Sequence, residues 1–442
     1  LGSSFRVAAG LDLAGVSSRG ASVFSAIRYV DDVPRTVTPN GAGVIVRQAF
    51  GELAFRSLLL TVGSKEEYLS PWDKELTSGD MVLSNNARAL PGVRLSMPLY
   101  NPVPLTGGWV SVKGNFFVGR GFDALYMERY TRESGALYVH DVLWHYKAAS
   151  LRVGAPGEDR GLSLTIGFQH GAQWGGVSNN PRIGAQPASL VDFARVVMGM
   201  GGGEGATASD SVNVLGNQYG SYDFKVSRKS EAWSLDAYHQ HYFDDKSGTI
   251  FNNGWDGLWG VELYLHKVSW LRKVLVERLD TRNQTGPMHF LDFDHQKYPA
   301  VGGGADNYYN NGEYTTGVSY FNRGLGSPLL PSPEYNRDGS VGFKNTRVLA
   351  WHFGAAGDVS QDLAYRVLFT VSDSWGLPYR PLLDNKTGQS LLVELTYRPP
   401  RLEGWAFTLS AAADRGNILG EESTALAIHI VKTGILSTAR MR

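Results

Sequence analysis

The polar and apolar positions of residues 361–432 alternate with a period of two in four successive segments. Leu363, Tyr365, Val367, Phe369 and Val371 share one parity, and Asp362, Ala364, Arg366, Thr370 and Ser372 the other, with Leu368 a lone apolar intruder. Leu391, Val393, Leu395 and Tyr397 alternate with Leu392, Glu394, Thr396 and Arg398. Trp405, Phe407, Leu409, Ala411 and Ala413 alternate with Ala406, Thr408, Ser410, Ala412 and Asp414; Leu426, Ile428 and Ile430 repeat the pattern weakly. Side chains of a strand point alternately to opposite sides, so each segment has one oily face and one wet, charged face. These segments run to about 10–13 residues, whereas soluble strands cluster at roughly 5–6 and tilted membrane-crossing strands need about 9–11. Full charges of both signs on the wet face suit a watery lumen. The pattern predicts an all-β fold: a transmembrane, antiparallel, up-and-down β-barrel.

Read in order, the chain predicts strands at 4–14, 21–30, 43–50 and 53–63, with a tight turn at Gly51-Glu52. Further strands are expected at 91–98, 108–118, 137–153, 162–171, 218–228, 231–243, 256–267 and 270–282. The last five lie at 345–357, 361–373, 388–398, 403–414 and 423–432. Short connections (near 229–230, 269, 358–360 and 399–402) alternate with long ones, as in a barrel with tight periplasmic turns and elaborate external loops. The count is 16 or 17, depending on 21–30, provided that 313–322 belongs to a loop. The chain is therefore read as one barrel domain, 1–442, with long insertions at 64–90, 172–217 and 283–344. Within the second, Ser189 and Asp192 stand at capping-box spacing ahead of Phe193, and a Gly-rich run begins at Gly199, which predicts a short helix.

Composition changes this picture little. Lysine plus arginine and aspartate plus glutamate number 42 each, so no basic footprint for nucleic acid exists. Tyrosine (21), tryptophan (11), phenylalanine (19) and glycine (53) are plentiful, as interface girdles and tight turns require. Cysteine is absent, which removes disulfides and thiolate metal sites. No apolar run approaches the ~18 residues of a membrane helix, so crossing must be by strands. A barrel of this kind is exported, and with no leader visible the sequence is expected to be a processed or truncated form.

With the loops placed, several blocks carry a resemblance. They are Ser84-Asn85-Asn86-Ala87-Arg88-Ala89-Leu90-Pro91, Trp144-His145-Tyr146-Lys147, the run Gly167–Gly176 (GFQHGAQWGG), Gly254–Gly260 (GWDGLWG), Asn283–Pro287 and Gly326–Pro333 (GSPLLPSP). In this order, from about residue 40 to 430, they resemble the capsule assembly protein Wzi family in its Bacteroidetes branch. The resemblance implies an outer-membrane barrel of about 18 strands, with no catalytic activity, holding surface polysaccharide at the cell exterior like a lectin. Family members start with additional N-terminal sequence, absent here, and Ala439-Arg440-Met441-Arg442 lacks the aromatic ending common in such barrels.

Sugars are bound by stacking aromatic rings on the apolar face of a pyranose while planar amides, carboxylates and guanidinium groups bond its hydroxyls. The loop residues of that composition are Trp72, Trp174, Asp306, Asn307, Tyr308, Tyr309, Asn310 and Tyr314, densest over 306–314. Packing of the loops on one another demands the same residue types. Arg88, Arg94, Lys113, Glu262, Arg366 and Glu394 are expected to form a salt-bridged network that holds loops inside the lumen rather than a charged path through it, and their mixed sign argues against a strongly ion-selective pore. His239 and His241 share a face, but two ligands without a third make no metal site. His170 and Ser163 fall on opposite parities, and no P-loop, dinucleotide fingerprint or HExxH occurs. No catalytic site, cofactor or metal is therefore expected. The expected partners are the outer membrane with its lipopolysaccharide, surface polysaccharide and other outer-membrane proteins. A small-solute channel and a barrel subunit of a larger complex are the competing readings.

Overall fold

The computed structural model describes residues 5–17, 42–68, 70–155, 161–203, 205–207, 210–211, 214–285, 306–336, 338–420 and 422–433. Sixteen strands pair antiparallel, each with its neighbour in sequence. They are β1 (Phe5–Ser17), β2 (Ala42–Phe55), β3 (Leu58–Ser64), β4 (Pro91–Pro102), β5 (Val110–Arg120) and β6 (Leu143–Gly154). Next come β7 (Gly161–Trp174), β8 (Asn217–Lys229), β9 (Trp233–Phe243), β10 (Gly257–Leu265) and β11 (Lys273–Asp280). The wall ends with β12 (Val348–Asp358), β13 (Leu363–Gly376), β14 (Pro381–Tyr397), β15 (Trp405–Gly416) and β16 (Ser423–Lys432). The expected strand at 21–30 lies outside the described residues. Residues 319–320 and 323–324 form only a two-residue hairpin inside the loop that follows β11.

The alternation fixes which face looks outward. Leu164, Ile166, Phe224, Val226, Val261, Phe353, Phe369, Leu391, Leu409 and Ile428 are exposed large hydrophobics. Their cross-strand partners keep them on one side: Ile166 sits opposite Leu151 and Phe224, and Phe353 opposite Phe369 and Val276. A continuous exposed apolar band is unstable in water and matches the hydrocarbon of a bilayer. Trp109, Trp233, Trp270 and Trp405 stand near its short-turn edge, Trp255, Trp259 and Trp351 toward its long-loop edge, as interfacial rings do. No helix among the described residues is long and apolar enough to cross a membrane.

Two sequence expectations require correction, and one helix is added. Gly51-Glu52 is not a turn: β2 runs through it, and Glu52 points inward to accept from Thr61 Oγ1 (3.1 Å) and Lys65 Nζ (2.7 Å). The chain reverses instead at Arg56-Ser57, where Arg56 takes a positive φ of 54°. β14 starts at Pro381 rather than 388, so the expected long loop shrinks to a hairpin tip. A helix, α1 (Ala124–Thr131), occupies the connection after β5; burial of Tyr126, Met127 and Tyr130 supports it, and its weak apolar periodicity hides it in the sequence. The second helix, α2 (Leu190–Met198), has the full capping box of Ser189 and Asp192 and stops at Gly199, left-handed at φ 65°.

Candidate functional site

The inward face of the wall is covered by two loops, 65–90 and 306–347. Seven consecutive strands, β7 to β13, each send a polar side chain to the single segment 70–83. Gln169 Nε2 donates to Asp80 (2.8 Å), Lys225 to the Pro71 carbonyl (2.7 Å), and Gln240 Oε1 accepts from the Met81 amide (2.8 Å). The Tyr264 hydroxyl donates to Asp73, which Lys273 also binds at 2.7 Å. Glu277 accepts from Thr77 Oγ1 (2.6 Å), the Ser78 amide (2.7 Å) and the Tyr238 hydroxyl. His352 Nε2 meets the Leu76 carbonyl at 2.8 Å and Arg366 Nη1 donates to that of Glu75 at 2.8 Å. Seven neighbouring strands can converge on one short segment only if the sheet curls around it. Buried hydrogen bonds to charged groups contribute about 1.5–3 kcal/mol each, so these residues act as moorings for a plug.

The second loop locks onto the first. Tyr309 is fully buried; its hydroxyl donates to the Met81 carbonyl (2.6 Å) and accepts from the Ser327 amide (2.8 Å). Its ring meets Tyr242 edge-on at 5.4 Å and Phe343 at 5.2 Å. Trp72, Leu76, Met81, Phe117, Tyr146, Tyr238, Leu275 and Tyr308 belong to the same buried cluster, which therefore spans loops and wall. The lumen is packed with protein at this level. Below it, on the short-turn side, a cavity of about 470 Å³ is lined by Arg152, Thr165, Lys225 and Asp236 among others.

This packing relocates the residues singled out for sugar contact. Trp72 stacks on Tyr238 (4.8 Å between centroids, 12° between planes), and Trp174 on Phe193 (5.4 Å, 27°). Tyr308, Tyr309 and Tyr314 are buried, and the Tyr314 hydroxyl donates to the Gly175 carbonyl (3.2 Å). Asn310 accepts from the Phe343 amide (2.8 Å), and Asn307 Oδ1 accepts from Thr346 Oγ1 (3.1 Å). Ring faces already covered by protein cannot stack on a pyranose; Trp72, Tyr308 and Tyr309 hold the plug, and Trp174 packs with α2 in a separate cluster.

The charged set does not make one network. Arg94 donates to Asn115 (2.9 Å) over the Phe117 ring, Lys113 lies over Tyr100, and Arg366 pairs with Glu394 across β13 and β14. Glu262 is buried on the inward face. Arg88 is a loop residue, its guanidinium 4.1 Å from the centre of the Phe321 ring. His239 and His241 point outward and stack on Trp259 (3.9 Å) and Phe251 (4.2 Å). Among the described residues no three ligating side chains converge as a metal site would need. His170 faces outward and donates to or accepts from Gln218 (3.1 Å), on the opposite face from Ser163.

Asp306 is buried beside Asp244 and Asp245 in the long-loop cap. Burial first, then the charges of Asp245 and Asp244, pushes its carboxyl up to about 10; burial likewise raises Asp244 to about 7. Asp306 is thus protonated in the closed cap at neutral pH and Asp244 about half so, whereas in an opened loop both release protons at about 4. Above that value the open form binds fewer protons, so cap stability falls as pH rises through the folded values. Protection of residues 306–320, measured as exchange relative to the intrinsic rate at each pH, is expected to be greater at about pH 5 than at about pH 8.5, and Asp306→Asn should flatten the difference. Equal protection at both pH values in the native chain would refute this.

Sequence reasoning missed an open groove on the outer long-loop rim, about 530 Å³, lined by Asn253, Trp255, Asp256, Trp259, Arg278, Asp280 and Asn283. Trp255 is 75% exposed, and its ring lies 5.7 Å from that of Trp259, which is itself propped by His239. Asp280 anchors both Arg278 and Arg282, and of the two guanidinium groups that of Arg278 lines the groove. Asp256 holds the floor by accepting from the Asn283 and Gln284 amides (3.2 and 2.8 Å) and the Tyr308 hydroxyl (3.2 Å). An exposed indole face flanked by fixed planar polar groups has the chemistry of a sugar contact. The signal available in the sequence was Arg278, a charge at a parity otherwise given to apolar side chains.

Among solved structures, the chain is similar to Wzi of Escherichia coli, an outer-membrane protein involved in group 1 capsule assembly and a carbohydrate-binding β-barrel. The TM-score is 0.53 at 13% identity, over 89% of this chain and 71% of that one. Two Pseudomonas aeruginosa proteins also match: OpdK with vanillate (TM-score 0.41, 12% identity, 96% and 88% covered) and OccK10 (TM-score 0.39, 11%, 99% and 97%). No curated protein matches. The capsule assembly protein Wzi family model matches residues 25–331, from before β2 to beyond β11, and the chain therefore belongs to the capsule assembly protein Wzi family.

Proposed function

We propose that this chain is a single barrel domain of the outer membrane that holds surface polysaccharide at the cell exterior and assists capsule assembly without enzymatic chemistry. The observation that carries the reading is the filled lumen. Loops moored by seven strands occupy the space a channel would need, so the molecule offers a surface rather than a passage. Family membership and the apolar outer band support the same location and role. The plugged lumen also weighs against the small-solute channel. Its partners are then the lipid and lipopolysaccharide of the outer membrane, the polysaccharide itself, and other outer-membrane proteins of the assembly apparatus.

The polysaccharide contact is assigned to the rim groove, where Trp255 supplies the stacking face and Arg278 and Asn283 reach the hydroxyls. One aromatic stacking contact contributes about 0.5–1.5 kcal/mol beyond its buried area, so Trp255→Ala should weaken glycan binding about tenfold. A glycan array probed with the detergent-purified protein and with this variant measures it. Undiminished binding by the variant would remove the groove from the account, and absence of any glycan binding by the native chain would remove the function.

A further inference from the structure

The long-loop rim carries a helix whose position the plug does not explain. The aromatic residue of α2, Phe193, packs on Trp174 (5.4 Å), His145 (5.8 Å, edge-on) and Phe116 (6.4 Å, edge-on). Those three residues, with Lys147 and His170, occupy outward positions of β5, β6 and β7, since each alternates with an inward neighbour such as Phe117, Tyr146 or Gln169. Lys147 also donates to the Val197 carbonyl at the C-terminal end of the helix. So α2 lies against the outside of the wall. Val196 joins the contact, buried with Ala172, Trp174 and Leu215.

The side of the helix turned from the wall, with the residues just past its end, is apolar. Leu190 is 87% exposed and Met198 72%, and Val191 and Met200 are exposed with them. Four large apolar side chains displayed in one short segment are costly in water. Directly beneath, Ala149 and Phe168 form one outward row, and Leu151, Ile166 and Phe224 the next. That last row belongs to the exposed apolar band, and the Lys147–His170 row alone puts polar groups between it and α2, with Lys147 bonded to the helix's Val197 carbonyl and His170 to Gln218. The polar groups of the helix turn elsewhere: Asp192 is engaged by Ser189 and Arg195.

We infer that α2 is an interfacial anchor: it lies in the outer leaflet, with Leu190, Val191, Met198 and Met200 inserted among lipid acyl chains at the headgroup boundary. A short amphipathic helix with one face fixed to the protein and the other apolar fits that boundary and no deeper. The anchor would hold the rim at a fixed height relative to the membrane surface. This inference rests on the reading of the outer band as lipid-facing, so its test carries a reporter for that reading as well.

The chain has no cysteine, so single substitutions give unique labelling sites. Leu190→Cys and Met198→Cys, each carrying a nitroxide, are compared in phosphatidylethanolamine–phosphatidylglycerol vesicles with Ile166→Cys in the band and Glu133→Cys in an exposed loop. All four positions lie at the surface, and heat-modifiable gel migration checks that each variant is folded. The expected result is that labels at 190 and 198 collide with oxygen in preference to a water-soluble nickel chelate, as at 166, by about tenfold relative to 133. Collision ratios at 190 and 198 equal to that at 133, with 166 still lipid-like, overturn the anchor alone. Dipolar broadening between labels on separate chains overturns it in favour of a second copy covering the helix. Water-like behaviour at 166 overturns the lipid-facing band itself.

Discussion

Replacing Tyr309 with alanine is expected to destabilise the barrel's cap by about 3–5 kcal/mol, the usual cost of removing a large buried aromatic side chain. The position is buried between Tyr242, Phe343 and the Met81 backbone. It also ties the two plug loops together, because one hydroxyl serves the Met81 carbonyl and the Ser327 amide at once. Truncation leaves a cavity and two buried backbone groups without partners. Protease digestion of detergent-solubilised protein should then cut within 65–90 and 306–347 while the wall remains intact. Tyr309→Phe keeps the ring and loses only the hydroxyl, so it should fall between the native chain and the alanine variant. Native resistance in the alanine variant would mean that the loops are not held by this contact.

The second large effect concerns the wall. Ile166 stands in the middle of the apolar band, opposite Leu151 and Phe224, while Ser163 on the same strand lines the cavity on the inward side. An arginine at the midplane of a barrel's lipid face costs about 2–4 kcal/mol, and one in the lumen far less. Ile166→Arg should therefore lower the denaturant midpoint of refolding into vesicles markedly, and Ser163→Arg should change it little. Equal effects at the two sites, or none at Ile166, would mean that the outward face does not meet hydrocarbon.

The wall was legible in the sequence because strand periodicity is local: whether residues 405 and 407 share a face depends only on two bonds between them. The inward placement of Arg366, Glu394 and Thr396 followed from that rule, and so did the capping box of α2. The contacts that seat the plug were not legible. Thr77 and Glu277 are 200 positions apart, and nothing in either neighbourhood announces their contact. Inward charges read as a network holding loops in the lumen, but nothing in the sequence pointed to residues 70–83 as the segment held. The same ambiguity relocated the sugar candidates: Tyr and Asn serve loop packing and glycan contact equally well, and only exposure separates Trp72 from Trp255. Turn placement failed at Gly51-Glu52, because glycine permits a turn without requiring one.

The account depends on a barrel closed by its own loops within a lipid bilayer, and single-channel recording across a planar membrane addresses it most directly. The native chain, inserted and verified as folded, should give a silent baseline under applied voltage, with conductance steps emerging in Tyr309→Ala. Sustained, uniform open-channel steps from the native chain would contradict the sealed lumen and return the molecule to the transport class.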